Sequence, residues 1–215
     1  MHARRCSRRC ALPAATPASL SGRSRRRSGG NSRAPLPRRH RGLRRNLQRS
    51  TVVNAETGAY DVHPDRTSSG THFERGESEL IDRIERRISE LTGHPVENGE
   101  PIQVLHYLPG AERKPHFDYF DATQPGNETV LTMGGQCVAT LLMYLNDVEA
   151  GGSTVFPSIG LELLPRRGSA VYFAYTSESG ETDARTLHGG SPLKAGEKWI
   201  ANKWLRQRRY GGPYI

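Results

Sequence analysis

Pro115-His116-Phe117-Asp118-Tyr119-Phe120 is the stretch on which the reading of this chain turns. His116 and Asp118 are metal-type side chains two residues apart. On a β-strand, positions i and i+2 face the same way, so both could reach one ion. A second histidine, His188 in Leu187-His188-Gly189, stands far along the chain, and the fold must bring it close. Ten residues later Lys198, in Gly196-Glu197-Lys198-Trp199, offers a cation able to anchor an acidic ligand. An isolated H-x-D triplet arises by chance. The order H-x-D, long gap, H, ten residues, K is far more specific.

Two histidines and one carboxylate on one face of an ion leave the other positions open, the set used at non-haem Fe(II) sites. Further text accumulates around it. Gln103-Val104-Leu105-His106-Tyr107 precedes it, and Ala139-Thr140-Leu141-Leu142-Met143-Tyr144-Leu145 and Gly151-Gly152-Ser153-Thr154-Val155-Phe156-Pro157 follow. Leu187-His188-Gly189-Gly190 and Lys198-Trp199-Ile200-Ala201-Asn202-Lys203-Trp204 close the series. In this order, from about Arg66 to Arg209, the chain resembles the Fe(II)/2-oxoglutarate-dependent dioxygenases of the prolyl 4-hydroxylase catalytic-domain type.

That resemblance implies a mainly β fold with a flanking helix (α+β), a double-stranded β-helix or jelly-roll with iron at its open end. It implies His116, Asp118 and His188 as metal ligands and Lys198 as the partner of the distal 2-oxoglutarate carboxylate. Tyr107 and Thr154 match positions that line the same pocket, and Trp204 matches a tryptophan near the iron. As plain structure, the three would be a core tyrosine, a turn threonine and a core tryptophan. The implied reaction couples oxidative decarboxylation of 2-oxoglutarate, giving succinate and CO2, to hydroxylation of an unactivated C–H bond. Fe(II) is the implied metal, O2 the oxidant and ascorbate the reductant. The implied substrate is a prolyl residue in a peptide or protein. The alternatives are another peptide residue or a small molecule, or a jelly-roll binding module without activity.

Two departures bear on substrate. The family often has tyrosine where this chain has Arg113, and arginine after Gly-Gly-Gln where this chain has Cys137. Both positions belong to the peptide groove in prolyl hydroxylases, so their change weakens the expectation of proline while leaving iron and cosubstrate binding intact.

The net charge of +9 belongs to one end. Fifteen of the 31 basic residues, all arginine, lie in residues 1–50, which hold no acid; the remaining 16 face all 22 acids, a net of −6. Nothing in the body therefore asks for nucleic acid. Cys137 is the lone cysteine of the body, which fits a reducing, cytoplasmic setting. The chain holds no apolar run of the roughly eighteen residues a spanning helix needs, so no membrane span is expected.

Residues 1–50 read as an Arg-rich disordered tail, since they cannot bury enough apolar surface to offset ordering. They read alternatively as an organelle transit segment, a basic arm, or a misassigned start upstream of about Leu43. Residues 51–100 are expected to hold an entry strand and loop and a packing helix, and residues 101–210 the jelly-roll core. Leu80, Ile81, Ile84, Ile88 and Leu91 recur at helical spacing over residues 75–92, with Arg83, Glu85, Arg86 and Arg87 on the other side. Strands are expected at 102–107, 114–120, 138–145, 154–156, 169–175, 184–188 and 197–205, with loop over 121–136. His106 is an ordinary strand histidine in this reading, and Lys194 and Lys203 are solvated.

Overall fold

The computed structural model describes residues 47–177 and 180–211. The Arg-rich segment up to residue 46 lies outside the described residues. The chain runs through β1 (Gln48–Arg49), β2 (Thr51–Val53), β3 (Tyr60–Val62), β4 (Ser69–Phe73), helix α1 (Glu79–Thr92), β5 (Ile102–Tyr107) and β6 (Arg113–His116). It continues through α2 (Asn127–Thr132), β7 (Cys137–Tyr144), β8 (Ala150–Gly151), β9 (Thr154–Phe156), β10 (Leu161–Leu163) and β11 (Ala170–Ala174). Last come β12 (His188–Gly190), β13 (Leu193–Ala195) and β14 (Lys198–Arg206).

Ten of these strands form a six-stranded sheet, ordered β1-β4-β5-β14-β7-β11, and a four-stranded sheet, ordered β10-β9-β12-β6; the other four pair as β13-β8 and β2-β3. Every pairing is antiparallel. Residues of the two sheets meet in one cluster, where Cys137, Phe173 and Trp204 of the large sheet pack with Phe156 and Leu163 of the small one. That is the jelly-roll arrangement of two facing sheets.

The large sheet is covered on both faces, so its strands read as near-continuous apolar runs. On β14, Lys198, Ile200, Asn202 and Trp204 line a cleft between the sheets. The alternate residues Trp199 and Ala201 turn the other way and pack with Ile88 of α1. On β7, Thr140 and Leu142 face the cleft while Leu141 joins the helix side. Helix α1 is capped at its start by Ser78, which accepts from the Ile81 N–H, and at its end by Gly93 in the left-handed region.

The buried stripe of α1 differs from its apolar pattern. Leu80 and Leu91 are exposed, and the buried positions are Ile81, Glu85 and Ile88. Glu85 points inward because Lys203 of β14, 1% exposed rather than solvated, donates to its Oε1 at 2.7 Å. Burial pushes the Glu85 carboxyl up and the Lys203 ammonium down, and each partner pulls the other back. Gly99 makes room for the pair, since any side chain there would strike the end of Lys203.

Four local expectations change. Order begins before residue 51, since Gln48 and Arg49 pair with Gly70 and Ser69. The strand expected to reach Phe120 ends at His116. The loop over 121–136 contains α2, six residues long. Residues 184–186 form a 3-10 turn, with Asp183 accepting from the Arg185 N–H, and the strand starts only at His188. Among the described residues, no helix is long and apolar enough to cross a membrane.

Removing one partner of a buried pair strands the other charge at a cost of about 3–5 kcal/mol. Glu85→Ala is therefore expected to lower the unfolding free energy by about that amount in urea titration. An unchanged midpoint would show that the pair is not buried as described.

Candidate metal centre

His116 is the last residue of β6 and His188 the first of β12, and the two are direct cross-strand partners. Their ring centroids lie 4.4 Å apart. The strands come this close because the residue after His188 is glycine: a Cβ on Gly189 would sit 2.8 Å from the Arg113 carbonyl oxygen. Asp118 lies just past the end of β6, and the turn of the chain there brings its carboxylate back between the two rings. His116 Nε2 is 3.4 Å from Asp118 Oδ1, and His188 Nε2 is 3.5 Å from Asp118 Oδ2. One donor atom from each of the three lies within 4.8 Å of the others.

The ring nitrogens are assigned by their outer bonds. A backbone carbonyl can only accept, so the 2.9 Å contact from His116 Nδ1 to the Lys114 oxygen makes Nδ1 the donor. The 3.0 Å contact from His188 Nδ1 to the Thr186 oxygen does the same. Both imidazoles therefore direct Nε2 at Asp118. Thr140 Oγ1 donates to Asp118 Oδ2 at 2.7 Å from the floor of the cleft. Burial works against the Asp118 charge, yet His188 and His116, when protonated, and the Thr140 hydroxyl hold its carboxyl well below the usual carboxylate range. Burial pushes His188 below its ordinary value, which favours the neutral imidazole that a metal requires. Convergent electron-pair donors with outward-bonded Nδ1 atoms fit a divalent ion of the 2-His-1-carboxylate kind.

Lys198 begins β14 opposite Tyr107 of β5. It is 3% exposed, and its Nζ lies 5.4 Å from the Tyr107 ring centroid. No hydrogen bond or ion pair among the described residues satisfies it, and burial pushes its ammonium down to about 8. An ammonium buried without a counter-ion is costly, so the site is built for an anion. Thr154, 2% exposed, accepts from the Tyr144 hydroxyl at 2.7 Å.

Tyr107, His116, Asp118, Thr154, His188, Lys198 and Trp204 all line this one cleft. Trp204 also walls the adjoining outer cleft with Phe117 and Tyr119. His106 stays out of it, stacked on Trp199 and bonded to Glu197 at 3.0 Å. Residues that the sequence did not single out for the site join the cleft: Thr140, Arg66 and Asn202, whose Oδ1 is buried without a partner among the described residues. A polar threonine inside the apolar run of β7 was the available signal for Thr140. Arg66 and Asn202 carried none, because their placement depends on strand pairing across the fold.

The sequence profile of the 2OG-Fe(II) oxygenase superfamily matches residues 102–206. Prolyl 4-hydroxylase 5 of Arabidopsis thaliana is 40% identical, over 76% of this chain and 61% of that protein. Prolyl 4-hydroxylase subunit alpha-1 of Mus musculus is 39% identical, over 75% of this chain and 30% of that protein. The chain thus spans about three fifths of the length of the plant relative and under a third of the animal one. Among solved structures, the viral collagen prolyl hydroxylase of Paramecium Bursaria Chlorella virus-1, in its 2OG complex, is 34% identical with a TM-score of 0.56. That alignment covers 66% of this chain and 79% of the viral one. The chain belongs to the 2OG-Fe(II) oxygenase superfamily, of the prolyl 4-hydroxylase catalytic-domain type.

Proposed function

We propose that the chain is an Fe(II)- and 2-oxoglutarate-dependent dioxygenase that hydroxylates a prolyl residue in a peptide or protein. The carrying observation is the pairing, in one cleft, of a three-donor cluster with a buried ammonium that has no counter-ion among the described residues. In this reading His116, Asp118 and His188 hold the iron. The iron, when bound, supplies activation of O2, with the oxidative decarboxylation of 2-oxoglutarate to succinate and CO2 providing the electrons.

The chain's own residues supply position and exclusion of water. The Nδ1 bonds to Lys114 and Thr186 fix both ring orientations. Thr140 fixes the Asp118 carboxylate. Lys198 pairs with the distal carboxylate of 2-oxoglutarate and selects a diacid by length. The Tyr107 hydroxyl and Thr154 complete the acidic end, and Trp204 walls the mouth. Ascorbate is the expected reductant. The free, buried thiol of Cys137 fits a reducing compartment.

With added Fe(II), the protein is expected to release succinate from 2-oxoglutarate, and His188→Ala to release none. Equal turnover in the two removes the reading. Thr140→Val keeps the shape but loses the bond to Asp118, and metal affinity is expected to fall about 10- to 100-fold. An unchanged metal titration would detach Thr140 from the site.

The pH dependence follows from Lys198. Its depressed value near 8 means the free protein carries the ammonium below pH 8 and loses it above. Anion binding favours the charged form, so 2-oxoglutarate affinity is expected to be flat below pH 8. Above pH 8 it falls by up to about tenfold per pH unit. Affinity that rises above pH 8 would contradict the assignment.

A further inference from the structure

Two positive charges in the cleft remain without a role once the metal and the 2-oxo acid are accounted for. Arg113 lies on β6, three residues before His116, and faces Gly190 of β12 in register. A methyl group at Gly190 would be 3.8 Å from both the Arg113 Cβ and the Lys198 Nζ, so the Lys198 ammonium and the base of the Arg113 side chain approach the same glycine. Arg66 stands beside it, joined to Arg113 by an antiparallel backbone bridge. Both arginines line the metal cleft and the adjoining outer cleft.

Neither guanidinium has a carboxylate partner among the described residues. Arg66 is 7% exposed and donates only to neutral acceptors, the Thr51 oxygen at 2.8 Å and Gln103 Oε1 at 2.6 Å. The Arg113 side chain is half-buried and makes no hydrogen bond or ion pair among the described residues. None of the nearby acids is bonded to either guanidinium. Asp118 belongs to the metal cluster. Glu100, on the wall of the outer cleft, accepts from Arg206 at 2.9 Å. Asp65 attracts Arg113 from the rim and lies 3.5 Å from His63 Nδ1. Burial pushes both guanidinium values down, and Arg113 pushes Arg66 down further. Two like charges held together and desolvated are unfavourable unless an anion arrives. A guanidinium matches a carboxylate with two parallel hydrogen bonds. Phe117, Tyr119 and Trp204 supply the apolar wall of the same outer cleft.

We propose that Arg113, backed by Arg66, is a specificity-determining site that binds a carboxylate on the substrate beside the carbon to be hydroxylated. This rests on the oxygenase reading above and narrows its substrate to acidic ones. The carboxylate comes from a neighbouring Asp or Glu side chain or from a free chain terminus following the target residue. The position where the family often has tyrosine has here become a recognition point for charge. Cys137, where the family commonly has arginine, is buried under the Tyr175 hydroxyl, which donates to its Sγ at 3.0 Å.

The test is equilibrium binding of fluorescent proline peptides to the full chain, loaded with Mn(II) and 2-oxoglutarate without oxygen, so that no turnover enters. One peptide is neutral and amidated. A second carries Glu next to proline and is amidated. A third is neutral with a free carboxylate directly after proline. At least one acidic peptide is expected to bind about tenfold or more tightly than the neutral one, and the arm that gains identifies the source of the carboxylate. Arg113→Gln is expected to weaken the acidic arm to the neutral level, and Arg113→Lys to keep part of the preference. Equal affinity for all three peptides in the unmodified protein overturns the proposal. So does an Arg113→Gln variant, folded by circular dichroism, that keeps the acidic preference or weakens every arm alike. Succinate release by the unmodified protein without peptide is read in parallel. If it occurs and no preference is found, only this proposal fails; if it is absent, the oxygenase reading fails and this one with it.

Discussion

Asp118 keeps a carboxylate in the interior, and the arrangement around the cleft depends on how that charge is held. Burial alone would favour the neutral acid. The Thr140 hydroxyl, donating at 2.7 Å, favours the charged form, and the two imidazole Nε2 atoms at 3.4 and 3.5 Å turn their lone pairs towards the same space. None of these groups is placed by its own segment. The two histidines are brought opposite by the β6–β12 register, and glycine at position 189 lets those strands approach. Thr140 arrives from the other sheet. A cluster of this kind, with both Nδ1 atoms already bonded to carbonyls, leaves a cation as the natural occupant of the space between.

Charge is then distributed along the cleft with one carboxylate against three cations, Lys198, Arg66 and Arg113. Lys198 lies where β14 begins, Arg113 and Arg66 where β6 and the entry loop meet. An acidic cosubstrate at one end and an anionic substrate group at the other would each offset a desolvated cation. The large sheet can hold such groups still because its far face is packed against α1 and locked by the Glu85–Lys203 pair. The same strand, β14, thus carries Lys198 and Trp204 into the cleft and Lys203 into the helix contact.

The fold class and the cleft-lining residues were legible where pattern and order sufficed. The apolar run of β7, the turn at Gly151-Gly152 and the spaced histidines and lysine each left a local mark. What was not legible depends on pairing at long range. Glu85 looks like an outer helix residue because nothing within α1 says that a lysine more than a hundred residues away will meet it. Leu80 and Leu91 fit the helical period but lie at the edges of a stripe narrower than the pattern implies. Asp118 was expected on the strand with His116; the strand ends first, and the chain's bend does what the strand's pleat was expected to do. Arg66 looked like an ordinary loop residue, and its bridge to Arg113 and its bonds to Thr51 and Gln103 carry it into the cleft.

The central claim is that three side chains from two strands and a bend share one metal through a defined set of atoms. Anomalous diffraction from crystals of the full chain grown with Mn(II) or Fe(II) tests it most directly. The account predicts a single strong anomalous peak bonded to Nε2 of His116, Nε2 of His188 and a carboxylate oxygen of Asp118, with both Nδ1 atoms still on their carbonyls. A peak elsewhere, or bonding through Nδ1, would contradict it.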